Sequence, residues 1–366
     1  MEYVQERVTT LHDFDGASPT APVERATVVV PLTEHDYASL AAEHVFSTLE
    51  TVDPGQVLVA LRASEDGVGD VVEWIDEFGF ESQVLWCTAP PLEEFLRAED
   101  LDGDAGKGRD VWLALGVASH SDYVVVHDAD ATTYDVTHVP RLLSPLTADY
   151  DFVKGYYARV ENGKLYGRLF RLFYEPLVRA LRAESDHELL AYFDAFRYAL
   201  AGEFAVTGET ARQLRTPRGW GLEVGTLGDA FDVAGFSGTA QADLGVHEHD
   251  HRAVSGPEGL GNMCEEVAAT LWAVLEEHDV DPDYATLEER YRAAADRLIE
   301  QYAADAAFND LEYSREDERA QVDSYADAIT PPVTDDRLPA WETVDLDPVE
   351  ITDRSTAAIA DATGRM

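Results

Sequence analysis

The chain has 366 residues, 45% of them apolar, and a formal net charge of −45 from 72 acidic side chains against 27 lysines and arginines. That length suffices for one large domain or two smaller ones, and the ordinary apolar content argues against global disorder despite the charge. Repulsion from phosphates and anionic headgroups argues against nonspecific nucleic-acid binding and membrane-surface attachment. Lysine occurs only at Lys107, Lys154 and Lys164. An acidic, lysine-poor surface on a normal core is expected where concentrated salt screens self-repulsion, so the charge reports a salt-adapted solvent rather than a substrate. No basic-then-apolar leader and no apolar run of spanning length occurs, and a cytoplasmic protein is expected. Cys87 and Cys264 fit neither a zinc site nor a disulfide framework and are expected to be reduced and buried.

Residues 1–25 are polar, becoming Pro/Ala/Thr-rich, and are expected to form a loose N-terminal arm. Ala26 to Pro31 reads as a buried strand, followed by a helical pattern from Tyr37 to Leu49. Further strands are expected at Val57 to Leu61 and Gln83 to Trp86, with a helix including Val71 to Phe78 between them. An acidic loop then leads into a helix from Arg109 to His120 and a strand ending at His127. This alternation predicts an α/β unit over residues 26–150 with parallel strands and right-handed crossovers, whose ligands bind beyond the strands' carboxyl ends.

Residues 151–262 form a second half with strands at Phe152 to Tyr157 and Ala240 to Val246 and a long helical region from Tyr166 to Ala183. Residues 263–366 are expected to be a helical C-terminal region, continuous from Met263 to about Ala304, with an acidic tail beyond Asp310 that wraps the surface or stays partly mobile.

The chemistry concentrates at Val124-Val125-Val126-His127-Asp128-Ala129-Asp130, where an apolar strand ends in two carboxylates one residue apart. Such an end can hold a divalent cation between protein and a phosphorylated ligand. Asp-x-Asp spacing alone carries little in so acidic a chain: it recurs at Asp13/Asp15, Asp102/Asp104 and Asp279/Asp281. Only the pair at 128 and 130 ends a strand. Upstream, Gly106-Lys107-Gly108 supplies one ammonium on a permissive backbone, suggesting a Mg²⁺- or Mn²⁺-dependent enzyme acting on a nucleotide sugar.

Several segments in order carry a family resemblance: Val28-Val29-Val30-Pro31, Gly106-Lys107-Gly108, Asp128-Ala129-Asp130, Phe152 to Tyr157, Gly167-Arg168, Glu175-Pro176-Leu177, Ala201-Gly202-Glu203-Phe204-Ala205, Gly219-Trp220-Gly221-Leu222-Glu223 and Gln241 to Gly245, then His249, Arg252 and Leu260 to Met263. Over residues 26–270 the chain resembles the glucosyl-3-phosphoglycerate synthases, retaining glycosyltransferases with a GT-A fold, a Rossmann-like, mostly parallel sheet flanked by helices. The resemblance implies transfer of glucose from UDP- or GDP-glucose to the 2-hydroxyl of 3-phosphoglycerate, and a homodimer.

By that resemblance Asp130 and His249 would be the metal ligands, and Asp128 would hold the ribose or a metal-bound water. Pro31, Leu32, Glu34, Ser64, Lys107 and Ala129 would line the nucleotide-sugar site. Glu223 would bond the donor sugar's hydroxyls and, with Asp130, serve catalysis; no general base is assigned. Lys154, Gly167, Arg168, His251 and Arg252 would take the acceptor's carboxylate and phosphate. Blander roles stand beside these: a surface histidine for His249, a helix cap for Glu34, a macrodipole charge for Glu223, surface ion pairs for the arginines.

Three departures from the family pattern fall on the base and acceptor. Leu61-Arg62-Ala63-Ser64 replaces an Asp-Ser-x-Ser turn, Phe170 replaces a threonine, and His247 stands where an arginine is common. The chemistry with mannose or another small anionic acceptor is the alternative. Nucleotidyl transfer would require a glycine-rich loop after the first strand, where Pro31-Leu32-Thr33-Glu34 stands, and a binding module would be expected to lose the metal ligands.

Overall fold

The computed structural model describes residues 5–250, 257–331 and 335–364. Its ten described strands are β1 Thr9–Leu11, β2 Ala26–Thr33, β3 Gln56–Arg62, β4 Ser82–Trp86, β5 Tyr123–Val126, β6 Phe152–Ala158, β7 Val160–Glu161, β8 Lys164–Leu165, β9 Phe204–Thr207 and β10 Thr239–Val246. Eight of them form one sheet in the order β1-β10-β6-β9-β5-β2-β3-β4; β7 and β8 pair as a hairpin. Every neighbouring pair in the large sheet is parallel except those of β9, which runs antiparallel to both β5 and β6.

The β-branched runs of β2 and β5 explain the centre of this sheet. Val28, Val29, Val30, Val124, Val125 and Val126 are all fully buried, as strands covered by helices on both faces must be. Because β6, β9 and β10 extend the same sheet, the two predicted halves share one core. Helices alternate with strands as expected: Leu40–Val52, capped by Ser39 accepting from the Ala42 amide, then Val68–Ile75 and Lys107–Ala118.

Four expectations need correction. The N-terminal arm is not loose: Val8 and Thr10 are fully buried and β1 pairs along β10. The acidic loop contains the helix Pro90–Ala98, whose Leu92 and Leu96, four residues apart, are fully buried, while Glu94 faces outward and Glu93 pairs with the buried Arg109 at 2.6 Å. The long helix expected from Tyr166 starts two residues later, at Arg168, and passes through a π-helical turn Phe170–Tyr174 into Glu175–Arg182. The helix expected from Met263 to Ala304 is two, Pro257–Glu277 and Tyr284–Phe308, broken by a turn in which Asp279 takes a left-handed φ of 56°.

The acidic tail is packed rather than mobile. Trp341 stacks on Trp112, ring centroids 4.7 Å apart, and each indole N–H donates to a main-chain carbonyl at 2.7 Å, Trp341 to Trp112 and Trp112 to Pro339. The helix Pro348–Thr363 then lies along the edge strand β4, where the Ser355 hydroxyl accepts from the Trp86 amide at 2.7 Å. Covering that edge removes a row of unpaired amides that would otherwise recruit another strand.

Candidate active site

The site forms where β5 ends beside β2. Asp128 emerges from β5 with its side chain 20% exposed and meets the Lys107 ammonium at 2.6 Å. Lys107 begins the helix Lys107–Ala118, whose first turn is pressed against residues 217–219. A Cβ on Gly106 would come within 2.4 Å of the Arg218 carbonyl, and one on Gly108 within 1.9 Å of the Pro217 carbonyl. Neither glycine has a positive φ. They are required for close approach rather than for the backbone freedom inferred from sequence.

Two hydrogen bonds tighten the contact: the Arg109 amide donates to the Arg218 carbonyl at 3.0 Å, and the Thr216 hydroxyl to the Gly108 carbonyl at 2.9 Å. The chain then turns at Gly221, φ 99°, into the helix Leu222–Val233. That turn delivers the Glu223 carboxylate to 3.8 Å from the Lys107 ammonium. Burial penalises the ammonium, but the charges of Asp128 and Glu223 outweigh it and hold Lys107 above its ordinary range. Burial likewise raises Asp128, yet the Lys107 charge and hydrogen bond leave it below the usual carboxylate value.

Beneath this pair the segment Ala201-Gly202-Glu203 runs across the floor. A Cβ on Gly202 would sit 2.5 Å from an Asp128 carboxylate oxygen, so glycine admits the aspartate. Glu203 is 1% exposed, and burial and the Asp128 charge raise its carboxyl above the ordinary value. Lys154, on β6, is fully buried, and burial lowers its ammonium to about 8. It supports the site from below and does not line the open face assigned to the acceptor from sequence.

The second pair forms through a short antiparallel zipper between the segments after β5 and β10. The Thr132 amide donates to the Glu248 carbonyl at 2.8 Å and the Asp250 amide to the Asp130 carbonyl at 2.9 Å, with Ala131 bridged to His249. This brings the His249 Nδ1 to 3.1 Å from the half-exposed Asp130 carboxylate. Burial works against the imidazolium, but the hydrogen bond and charge of Asp130 raise His249 above its ordinary value. One hard, half-exposed carboxylate oxygen beside one largely buried imidazole is a donor set that suits Mg²⁺ or Mn²⁺, with phosphate and water completing the shell. Among the described residues no group of three or more His, Cys, Asp or Glu gathers as a metal cage.

Other residues predicted for the nucleotide fall around the same sheet edge. Pro31 and Leu32 end β2, with Leu32 3% and Ala129 8% exposed, which leaves mainly backbone to offer. Glu34 accepts from the Ser64 amide at 2.9 Å and the Ser64 hydroxyl at 2.6 Å, and those bonds lower its carboxyl. The two brace each other and define the turn. In the turn that departs from the family, Arg62 donates to the buried Asp110 at 2.9 Å.

Of the residues expected at the acceptor, Gly167, φ 74°, turns the chain, and Arg168 is 42% exposed. His251 and Arg252 lie outside the described residues. His247, standing where an arginine is common, is fully buried and stacked on Tyr157 at 4.1 Å, and burial lowers its imidazole well below the ordinary value. Sequence reasoning missed Glu203 and Glu161, whose carboxylate accepts from the His249 amide at 3.3 Å. Glu203 had a signal, since its segment was among those matched; Glu161, in a two-residue strand, had none.

Comparison with known proteins shows the family. No protein-family model matches the chain. A glucosyl-3-phosphoglycerate synthase of Methanococcoides burtonii is 34% identical over 359 residues, covering 90% of this chain and 88% of the relative. The chain belongs to the glucosyl-3-phosphoglycerate synthase family. It is a glycosyltransferase with the GT-A fold. A Persephonella marina synthase is 35% identical over 329 residues, 83% of this chain and 81% of the relative. The solved Mycobacterium tuberculosis synthase in complex with Mn²⁺, UDP and phosphoglyceric acid superposes with a TM-score of 0.56 at 26% identity, covering 73% of this chain and 86% of that one. The mycobacterial enzyme has also been solved with Mg²⁺ and UDP.

Proposed function

We propose that the chain moves glucose, with retention, from a nucleoside diphosphate to the 2-hydroxyl of 3-phosphoglycerate, in a compatible-solute type of biosynthesis. The observation that carries this reading is the meeting of Lys107, Asp128 and Glu223 beside the Asp130–His249 pair, in a chain that aligns with a synthase over 90% of its length.

Asp130 and His249 hold the divalent cation, which supplies positive charge to the departing diphosphate. Asp128 orients the ribose or a metal-bound water, and Lys107, fixed at a helix start, contacts the nucleotide. Glu223 accepts from donor hydroxyls through two coplanar lone-pair directions. Pro31, Leu32, Ala129 and the Glu34–Ser64 turn border the base and ribose. Arg168, with Gly167 setting its turn and His251 and Arg252 following β10, takes the acceptor's anionic groups. The proton of the acceptor hydroxyl passes to the departing phosphate oxygen on the same face, so no protein base is needed.

The enzyme is further read as a homodimer of a salt-rich cytoplasm. The net charge of −45 with only three lysines supports the salt adaptation; no described helix is long and apolar enough to cross a membrane. The Arg62–Asp110 pair in the departed turn keeps GDP-glucose beside UDP-glucose as donor.

The test is turnover in concentrated KCl with Mg²⁺ or Mn²⁺, offering UDP- and GDP-sugars with 3-phosphoglycerate. Transfer of glucose that vanishes in Asp130→Ala and His249→Ala is the expected result. Metal-dependent donor hydrolysis without transfer would reject the acceptor and keep the mechanism. No turnover and no nucleotide binding would overturn the reading.

A further inference from the structure

The C-terminal region has so far only a packing role, yet it reaches the acceptor side at one buried carboxylate. Glu318 lies on the helix Arg315–Tyr325 and its side chain is 5% exposed. One oxygen accepts from the Arg168 Nε at 3.1 Å, the other from the Arg171 Nη1 at 2.7 Å. We infer that Glu318 is a positioning residue for Arg168, holding its guanidinium at the angle that receives the acceptor's carboxylate or phosphate. This rests on the reading of Arg168 as an acceptor ligand.

The bond pattern is what such a role requires. Arg168 spends its Nε edge on Glu318, and its two terminal nitrogens have no hydrogen-bond partner among the described residues while the side chain stays 42% exposed. A planar fork fixed along one edge and open at the other suits bidentate capture of an anion. Charge is preserved as well. Glu318 is shared between two arginines, so the trio keeps a net positive charge where the anion arrives.

Arg171 is the buried anchor of the trio, its side chain 6% exposed. Its Nε donates to the Tyr166 carbonyl at 2.9 Å, and its guanidinium lies 4.9 Å from the centre of the Tyr302 ring. The backbone just beyond Arg168 is the π-helical turn Phe170–Tyr174, a geometry whose widened ring loosens carbonyls from their ordinary partners. There the Tyr291 hydroxyl donates to the Leu172 carbonyl at 2.6 Å. On the other side of Arg168, the Glu312 amide donates to the Gly163 carbonyl at 2.8 Å. Residues 291, 302, 312 and 318 thus grip the segment that presents Arg168 from both sides. In so acidic a chain, an arginine without a committed partner would be drawn to whichever carboxylate lay nearest.

The experiment compares full-length wild type, Glu318→Gln, Arg168→Ala and the double variant in concentrated KCl, with kcat and both KM values measured and melting temperature recorded. Glu318→Gln is expected to raise the acceptor KM about tenfold, leaving donor KM unchanged and kcat within about twofold, and to add nothing to the acceptor KM of Arg168→Ala. Glu318→Asp, which keeps the charge and so protects buried Arg171, serves if the glutamine variant does not fold; an intermediate rise in acceptor KM is expected. An unchanged acceptor KM in Glu318→Gln, with Arg168→Ala raising it, would overturn the positioning role and leave the function intact. Parallel losses in kcat and donor KM would also overturn it, since a merely structural role behaves so. If Arg168→Ala itself leaves the acceptor KM unchanged, the assignment of Arg168 fails first.

Discussion

The proposed donor side and the proposed acceptor side of this site are built by different means. Asp128 and Asp130 follow the end of β5, Pro31 and Leu32 lie in the last three residues of β2, and Lys107 starts a helix, each put in place by the regular element it belongs to or follows. On the acceptor side Arg168 follows a two-residue strand, precedes a π-helical turn, and is held by Glu318 from 150 positions further along. A parallel sheet prescribes where its carboxyl edge is, so catalytic groups there inherit rigidity from the core. Groups on irregular segments inherit none and must be braced from outside.

The largest effect expected, and the one that would break this contrast if absent, is loss of at least about a thousandfold in transfer rate for Asp130→Ala or His249→Ala, with donor hydrolysis lost alongside. Rate measurements across Mn²⁺ concentrations check it; wild-type rates would make the zipper after β5 and β10 merely structural. Next comes Trp341→Ala, which removes the stacked partner of Trp112 on the helix that Lys107 begins, at a cost of about 3–5 kcal/mol in chemical denaturation. A smaller cost would mean that the donor side needs no brace from the tail.

Lys154 sharpens the comparison through pH. Its folded-state value of about 8 lies below the unfolded one, so burying the charged form penalises the fold fully below pH 8. The penalty is relieved as pH rises from 8 to the unfolded value, a gain of no more than about 3 kcal/mol that Lys154→Met should lack. Denaturation at pH 7 and pH 9.5 compares the two; equal slopes would deny the burial. The smallest effect is that of Gly108→Ala, where the new Cβ meets the Pro217 carbonyl. Displacing that segment should cost about 1–3 kcal/mol and raise the donor KM, through Glu223, without touching the acceptor KM.

Much of the donor side was legible because the relevant signals are local. A β-branched run ending in Asp128-Ala129-Asp130 announces a strand and its edge within seven residues. The helix Pro90–Ala98 was missed because four acidic and proline positions around it outweighed a two-leucine stripe, although Leu92 and Leu96 keep helical spacing. Of the two readings of the tail, wrapping the surface is the one that holds, and composition could not choose because most of the tail's acids face outward whereas Trp341, Ser355 and Glu318 face the core.

The sequence by itself determined the alternation of strands and helices, the edge at which the carboxylates appear, and the family, because each is written in short-range patterns or in the order of segments. The tertiary structure alone decided that Glu34 serves Ser64, that His247 and Lys154 are interior groups, that Gly106 and Gly108 yield space to residues 217–219, and that Glu318 reaches Arg168. Those facts depend on burial and on contacts between residues far apart in the chain. A side chain's chemistry follows from what surrounds it, and only the folded chain sets those surroundings.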